Sequence, residues 1–408
     1  MKETIINQGA AGCIFQYGFD CKGNKINTQK IITKIQRNEK LSNNEYEIGQ
    51  KIQKIPEYEN YFAPVLECCT VSLAKYDSDE IEKCEFIQKG NNQDKDKTYK
   101  MCKIQYVGKN TLGDHIYDVF KHTPLQLLKT MASTYTYLLK SLKIMADNNF
   151  VHYDIKDNNI VCNDINSPIL IDFGRSIDIT QTKTDVTKYK DIFFLYEPDF
   201  DYWCLDINFL MYAFNEVGDK WEQQVATKEV IQGILNDFFT ETEVAKTIEK
   251  SQPEYRKKQN AYFMKFEGKK WIDVFQELIK FMKTWDNYAL AVTYLDMMVY
   301  FTNSRTPGTP ETPETPDDPI ISKFNELLVE IVASTPEERP SLEKTIEKSL
   351  EIFTVEIKRE NIRKIGSLVK RMSQNEEHAD KLFDTFKKSK VAQLRKDAVM
   401  NARYGIKV

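Results

Sequence analysis

The sequence predicts an α+β chain in two lobes, a small N-terminal one rich in strands and a larger one built of helices. Three observations predict it. Short β-prone runs bounded by turn residues crowd the stretch before residue 107. A helical stripe of Leu128, Met131, Tyr135, Leu138, Leu142 and Met145 follows. From there, helical patterning continues to about residue 353.

Each element has its own signal. Residues 4–6, 13–17 and 30–35 read as antiparallel strands. Ile48, Ile52 and Ile55 recur at helical spacing and mark a helix over 43–55. Two more strands are expected over 62–73 and 99–107, with the charged insert 75–97 between them as a solvated loop. The long helix spans 125–148, and helices follow at 202–216, 228–249, 254–265, 269–283 and 285–301. Residues 304–319 carry Pro at every third position, which favours an extended polyproline loop with four Thr-Pro pairs. Helix resumes over 320–332, and Glu338-Arg339-Pro340-Ser341 opens another that ends near Phe353. The resulting division is 1–106, 107–353 and a basic helical extension, 354–408.

Composition narrows the classes. The 408 residues with 41% hydrophobic content can bury a real core, and a net charge of -4 is too small for a nucleic-acid binder. The tail from Thr354 carries 14 Lys+Arg against 7 Asp+Glu, about +7, which leaves about -11 for the rest. No apolar run is long enough to span a bilayer, and the N-terminus lacks an apolar signal region, so secretion is not expected. The eight cysteines form no C-x-x-C pair, and reduced, buried thiols are expected.

The run His152-Tyr153-Asp154-Ile155-Lys156-Asp157-Asn158-Asn159-Ile160, followed by Asp172-Phe173-Gly174, concentrates the chemistry. Asp154 can accept a hydroxyl proton, and Lys156 can neutralise charge on a phosphate in transit. Asn159 with Asp172 can hold Mg²⁺, which prefers oxygen ligands and few protein groups. Asn159 follows Asp154 by five residues and Asp172 follows it by eighteen. On these residues the chain resembles the eukaryotic-type Ser/Thr protein kinase superfamily, over roughly residues 4–353.

The resemblance implies a bilobal protein-kinase-like fold and roles for further positions. Lys34 matches the strand lysine that holds the α- and β-phosphates of ATP. Its acidic partner is expected to be Glu45, which shares a helix face with Ile48 and Ile52, with Glu47 in reserve. Asn7-x-Gly9-x-x-Gly12-x-Ile14 matches the phosphate turn, with Asn7 where the family has glycine; asparagine tolerates positive φ. Ile14 and Val161 would sandwich the purine, and the backbones of Gln105 and Val107 would bond its edge, with Ile104 limiting the pocket's depth. Ile32 stands where the family usually has alanine and would narrow that pocket.

Other positions depart from the family. Tyr153 replaces an arginine that commonly anchors a phosphorylated activation loop, so activity without modification is expected, despite Thr180, Thr182, Thr184 and Thr187. No Ala-Pro-Glu is present; Glu197 of Tyr196-Glu197-Pro198 is expected to pair with Arg339. Asp201 is expected to brace the catalytic loop, with Asp206 in reserve. Segments 45–62 and 284–290 resemble the divergent protein kinases of giant DNA viruses.

The function implied is transfer of the γ-phosphoryl group of Mg·ATP, with Mn²⁺ as a possible substitute ion, to Ser/Thr hydroxyls of protein substrates. Asp154 would act as the base, and Lys156 resembles the Ser/Thr-specific class. The alternatives are a pseudokinase scaffold binding nucleotide or protein, motivated by Asn7, Ile32 and the missing Ala-Pro-Glu, and a small-molecule kinase, against which Lys156 speaks. Docking partners could use 304–319 and the basic tail; neither nucleic acid nor a membrane span is expected. The implied location is cytoplasmic, in host cytoplasm or virion on the viral branch.

Overall fold

Period-two and period-3.6 burial generate the elements of this chain. The computed structural model describes residues 4–9, 12–37, 40–73, 76, 79–89, 98–123, 126–182, 186–302 and 319–355. In chain order the strands are β1 (Thr4–Gly9), β2 (Gly12–Gln16), β3 (Ile31–Arg37), β4 (Val65–Ser72), β5 (Thr98–Gln105), β6 (Phe150–Val151), β7 (Ile160–Cys162), β8 (Pro168–Leu170) and β9 (Ile177–Asp178). The α-helices begin with α1 (Lys40–Ile52), α2 (Asp79–Glu82), α3 (Glu85–Lys89), α4 (Leu112–His122), α5 (Leu127–Asp147), α6 (Ile179–Thr182) and α7 (Leu205–Asn215). They continue with α8 (Lys228–Glu241), α9 (Glu243–Ser251), α10 (Glu254–Phe263), α11 (Trp271–Leu278), α12 (Trp285–Thr302), α13 (Pro319–Ala333) and α14 (Leu342–Val355). The architecture is α+β. No described helix is long and apolar enough to cross a membrane. The described residues divide into two compact units, 4–111 with 159–176 and 112–158 with 177–355.

The first unit is built on an antiparallel sheet in the order β1-β2-β3-β5-β4. Alternation along its strands makes two apolar faces. Ile32, Val65, Cys102 and Ile104 face one way, joined by Ile14 and by Tyr46 of α1. Gly49 lets α1 close on β4, since a Cβ there would come within 2.6 Å of the Val65 carbonyl oxygen. Cys13, Phe15, Ile35, Val71, Tyr99 and Met101 face the other way.

That second face corrects the expectation of a solvated insert. Within 75–97, the described residues form α2 and α3, and Ile81, Cys84, Phe86 and Ile87 pack on the sheet. Charges dominate the insert's composition, and its few apolar residues find the exposed sheet face. The expectation of reduced thiols is corrected as well. Cys13–Cys84, Cys21–Cys69 and Cys68–Cys102 are disulfides, while Cys162 and Cys204 are buried outside them. Linear spacing alone could not reveal these pairings, because strand register brings the sulfurs together.

The hairpin β7–β8 also belongs to this unit. Leu170 donates its N–H to the Tyr61 carbonyl (3.0 Å) and accepts from Ala63 N–H (2.9 Å). The hairpin thereby joins the segment ahead of β4.

The second unit is helical, with β6 and β9 paired antiparallel as its short strands. Its core is aromatic. Tyr135 of α5 meets Tyr294 of α12 and Phe324 of α13 edge-on at 4.9 and 5.1 Å. The helix expected over 228–249 is two helices. Thr242 ends α8 and starts α9 because its hydroxyl donates to the Pro198 carbonyl at 2.6 Å, while Asp201 accepts from Val244 N–H at 3.0 Å. The helix expected over 269–283 leaves α geometry after Leu278 and tightens into a 3₁₀ turn, Ile279–Thr284. The loop expected at 304–319, save Pro319 at the start of α13, and the extension beyond Val355 lie outside the described residues.

Candidate functional site

Period two along β3 puts Ile32, Lys34 and Gln36 on the face that meets α1. Lys34 sits in mid-strand between Ile14 of β2 and Cys102 of β5. On α1, Glu45 is buried with Ser42, Ile48, Gly49 and Ile52, whereas Glu47 is exposed. The Lys34 ammonium donates to both oxygens of Glu45 at 2.9 and 3.0 Å, and Gln36 Nε2 donates to Glu45 Oε2 at 2.7 Å. The Lys34 ammonium also donates to Asp172 Oδ1 at 3.3 Å. Burial alone would lower the Lys34 pKa, but the carboxylates of Asp172 and Glu45 outweigh it and hold the ammonium above the ordinary lysine range. Lys34 is therefore a fixed positive charge. Burial pushes the Glu45 carboxyl up, while Lys34 and Gln36 favour its ionised form.

Asp172 presents its carboxylate from a strained backbone, with φ at 62°. Its neighbours hold that conformation. Phe173 is buried against Phe62, and Asn44 of α1 donates to the carbonyls of Gly174 and Ser176, both at 2.9 Å. The Asp172 side chain is 47% exposed. Asn159 is buried, and its carbonyl accepts from Ile171 N–H at 3.0 Å, which sets it beside the Asp172 segment. Asn44 and Gln36 were not anticipated. Each shares a signal with an anticipated residue, Gln36 by strand alternation from Lys34 and Asn44 as the neighbour of Glu45.

Gly9 and Gly12 pair at the end of the β1–β2 ladder; residues 10 and 11 lie outside the described set. A Cβ on Gly12 would collide with the Ile35 carbonyl oxygen, so only glycine fits there. The rationale for Asn7 is corrected. It is not among the residues with positive φ and instead pairs with Ile14 beside a register shift in the ladder. Ile32 lies opposite Ile104 in the β3–β5 ladder and packs in the same cluster as Ile14. Gln105 ends β5, and Val107 follows in the connecting segment. Val161 in β7 bridges to Thr111, and Gly108 lies so near the Cys162 carbonyl oxygen that a Cβ would sit 2.5 Å from it.

Asp154 and Lys156 belong to the second unit. Their side chains are both 9% exposed, and Lys156 Nζ lies 3.0 Å from Asp154 Oδ1. Lys156 also stands 5.6 Å from the Phe200 ring centroid, so an aromatic face helps hold the ammonium. Two expectations about their support are corrected. Asp286 on α12 accepts the backbone N–H groups of His152 and Tyr153 at 2.7 and 2.8 Å, the bracing role expected of Asp201. Asp201 accepts instead from the N–H of Val244, which lies in the first turn of α9. Arg339 bonds Asp206 at 2.7 Å, with side chains 2% and 0% exposed, in place of the expected Glu197. Trp285 donates to the same Asp206 carboxylate, which completes a buried triad.

Tyr153 is buried with φ at 68°, stacked on Trp203 at 5.5 Å. Trp203 Nε1 donates to its carbonyl at 3.2 Å. Tyr153 is therefore an aromatic packing position.

The structure thus brings Lys34, Glu45 and Asp172 within bonding reach in one unit, and Asp154 with Lys156 in the other. The first set can grip a polyphosphate. The second can orient a hydroxyl and accept its proton. No family model matches the chain. Among curated proteins, it is similar to the mitogen-activated protein kinase pmk-3 of Caenorhabditis elegans, at 23% identity over 96 residues. The match covers 24% of this chain and 19% of the relative, so the chain spans about a fifth of that protein's length and the comparison supports a distant, protein-kinase-like relationship.

Proposed function

We propose that the chain is an ATP-dependent Ser/Thr protein kinase with a kinase-like fold. The observation that carries this reading is Lys34 held between the buried Glu45 and the exposed Asp172, at 2.9 and 3.3 Å. A buried lysine kept charged by one carboxylate, with a second left toward solvent, suits the α- and β-phosphates of a nucleotide and its counter-ion. The oxygen donors of Asp172 and Asn159 fit Mg²⁺ or Mn²⁺. When bound, that ion supplies charge neutralisation at the phosphates.

In this reading Asp154 accepts the proton of the acceptor hydroxyl as its oxygen bonds to the γ-phosphorus. The bond between that phosphorus and the bridging oxygen breaks, and ADP leaves with the electron pair. Lys156 supplies positive charge beside Asp154, and its position two residues on supports Ser/Thr acceptors. The viral branch rests on the sequence resemblance and is part of the proposal.

Phosphate transfer from Mg·ATP to an arrayed set of Ser, Thr and Tyr peptides tests the reading. Transfer to Ser/Thr peptides, reduced at least about a hundredfold by Asp154→Asn, is expected. Nucleotide binding without transfer would mark a scaffold instead, and transfer only to metabolites a small-molecule kinase.

A further inference from the structure

We infer that the Cys13–Cys84 disulfide is a thiol–disulfide switch that clamps the glycine-rich hairpin through the 79–89 insert, with the oxidised form binding nucleotide more tightly. The nucleotide part rests on the kinase reading; the clamp does not. Cys13 follows Gly12 in β2 and alternates with Ile14, so its sulfur leaves the sheet opposite the face where Lys34 meets Glu45. Cys84 lies just ahead of α3, 71 residues away in sequence.

A second tie reaches the other strand of the hairpin. Gln8, beside Gly9 in β1, accepts the Glu85 backbone N–H through its side-chain oxygen at 3.2 Å. The insert therefore holds both strands at their glycine end, one by a covalent bond and one by a hydrogen bond. The other two disulfides leave the insert free. Cys68 and Cys102 face each other in the β4–β5 ladder, and Cys21–Cys69 closes the turn before β3 onto β4.

Burial makes the bond responsive to conformation. Cys13 and Cys84 are both 0% exposed, so an attacking thiolate must wait for α3 to lift from the sheet. A dithiol reductant supplies two electrons. Its first thiolate attacks one sulfur and forms a mixed disulfide, releasing the other as a thiolate that takes a proton. The second thiolate then displaces the remaining protein sulfur, which is protonated in turn, and the reductant leaves as its own disulfide. Insert and hairpin then lose their covalent link and keep the Gln8 bond and apolar contact. Strand ends that must be ordered on binding hold phosphates less well than strand ends already fixed. In a reducing compartment the open form would dominate and oxidation would be the signal.

The test uses the full chain, oxidised with glutathione disulfide or reduced with dithiothreitol. Mass spectrometry of unreduced digests should find the Cys13–Cys84 peptide. Calorimetry with a non-hydrolysable Mg·ATP analogue should show about tenfold weaker binding after reduction. Cys84→Ser should bind as the reduced form does in either condition, while Cys68→Ser should respond to reduction as wild type does. Gln8→Ala, which spares every sulfur, should weaken binding about twofold to threefold and covers failure of Cys84→Ser to fold. Coupling is reciprocal, so saturating nucleotide should make the bond about 30 mV harder to reduce, the equivalent of tenfold for two electrons.

Hydrogen exchange separates the clamp from the kinase reading. If no nucleotide binds in either state, yet 79–89 and 4–16 lose protection together on reduction, the clamp stands and the kinase reading falls. Equal nucleotide affinity in both states, absence of the linked peptide after oxidation, or unchanged exchange over both segments overturns the inference.

Discussion

Lys34 answers to two carboxylates in different settings, and this difference predicts different mutant phenotypes. Glu45 is buried and depends on Lys34 and Gln36 for compensation, whereas Asp172 is half exposed. Lys34→Met leaves the Glu45 charge without its cation and should lower stability by about 3 kcal/mol in urea unfolding. Asp172→Asn should leave stability within about 1 kcal/mol and still abolish phosphate transfer. Equal loss of stability in both variants would show that Lys34 is not what keeps the Glu45 carboxylate ionised. Strained backbone at Tyr153 and Asp172 fits the same picture, since each is held by buried aromatic packing next to a candidate reactive group.

At the scale of elements, α12 acts as the brace of the loop that carries Asp154 and Lys156. Asp286 lies in its first turn, where the positive end of the helix favours a carboxylate, and it takes two backbone donors from 152–153. Asp286→Ala removes the carboxylate that accepts both N–H groups and should cost about 2–4 kcal/mol, with a loss of transfer activity. Asp286→Asn retains one acceptor oxygen and should cost less than half as much. Calorimetric melting of the two variants measures the difference; equal costs would show that the carboxylate does not serve as a double acceptor. The neighbouring Trp285 reaches Asp206 and Asn287 reaches Pro340 and Thr345, so a single helical turn joins the 152–153 segment, α7 and α14.

Stability of the whole molecule should carry the signature of Asp296. Burial pushes this carboxyl up to about 8, with Asp201 adding repulsion and the Tyr202 hydroxyl donating against the shift. The folded chain then holds a proton that the unfolded chain has released, so this contribution is complete below about pH 4 and is lost as pH rises toward 8. Asp296→Asn removes that dependence and should be more stable than wild type at pH 9 by roughly 1–2 kcal/mol, with allowance for partial exposure. Urea unfolding at pH 5 and pH 9 reads it, and parallel pH dependence in both proteins would refute it.

Local patterning alone determined much of this chain. Helical spacing set Glu45 inward with Ile48 and Ile52, while Lys34, Asp154, Lys156, Asn159 and Asp172 were singled out by their match to a family's motifs. Such patterns report which way a side chain leaves its own backbone. They do not report what it meets, and the partners of Asp286, Arg339, Cys13 and the insert's apolar residues are all distant in sequence. Tertiary packing decided those, because a buried charge or sulfur takes whichever partner the folded chain brings within a few ångströms.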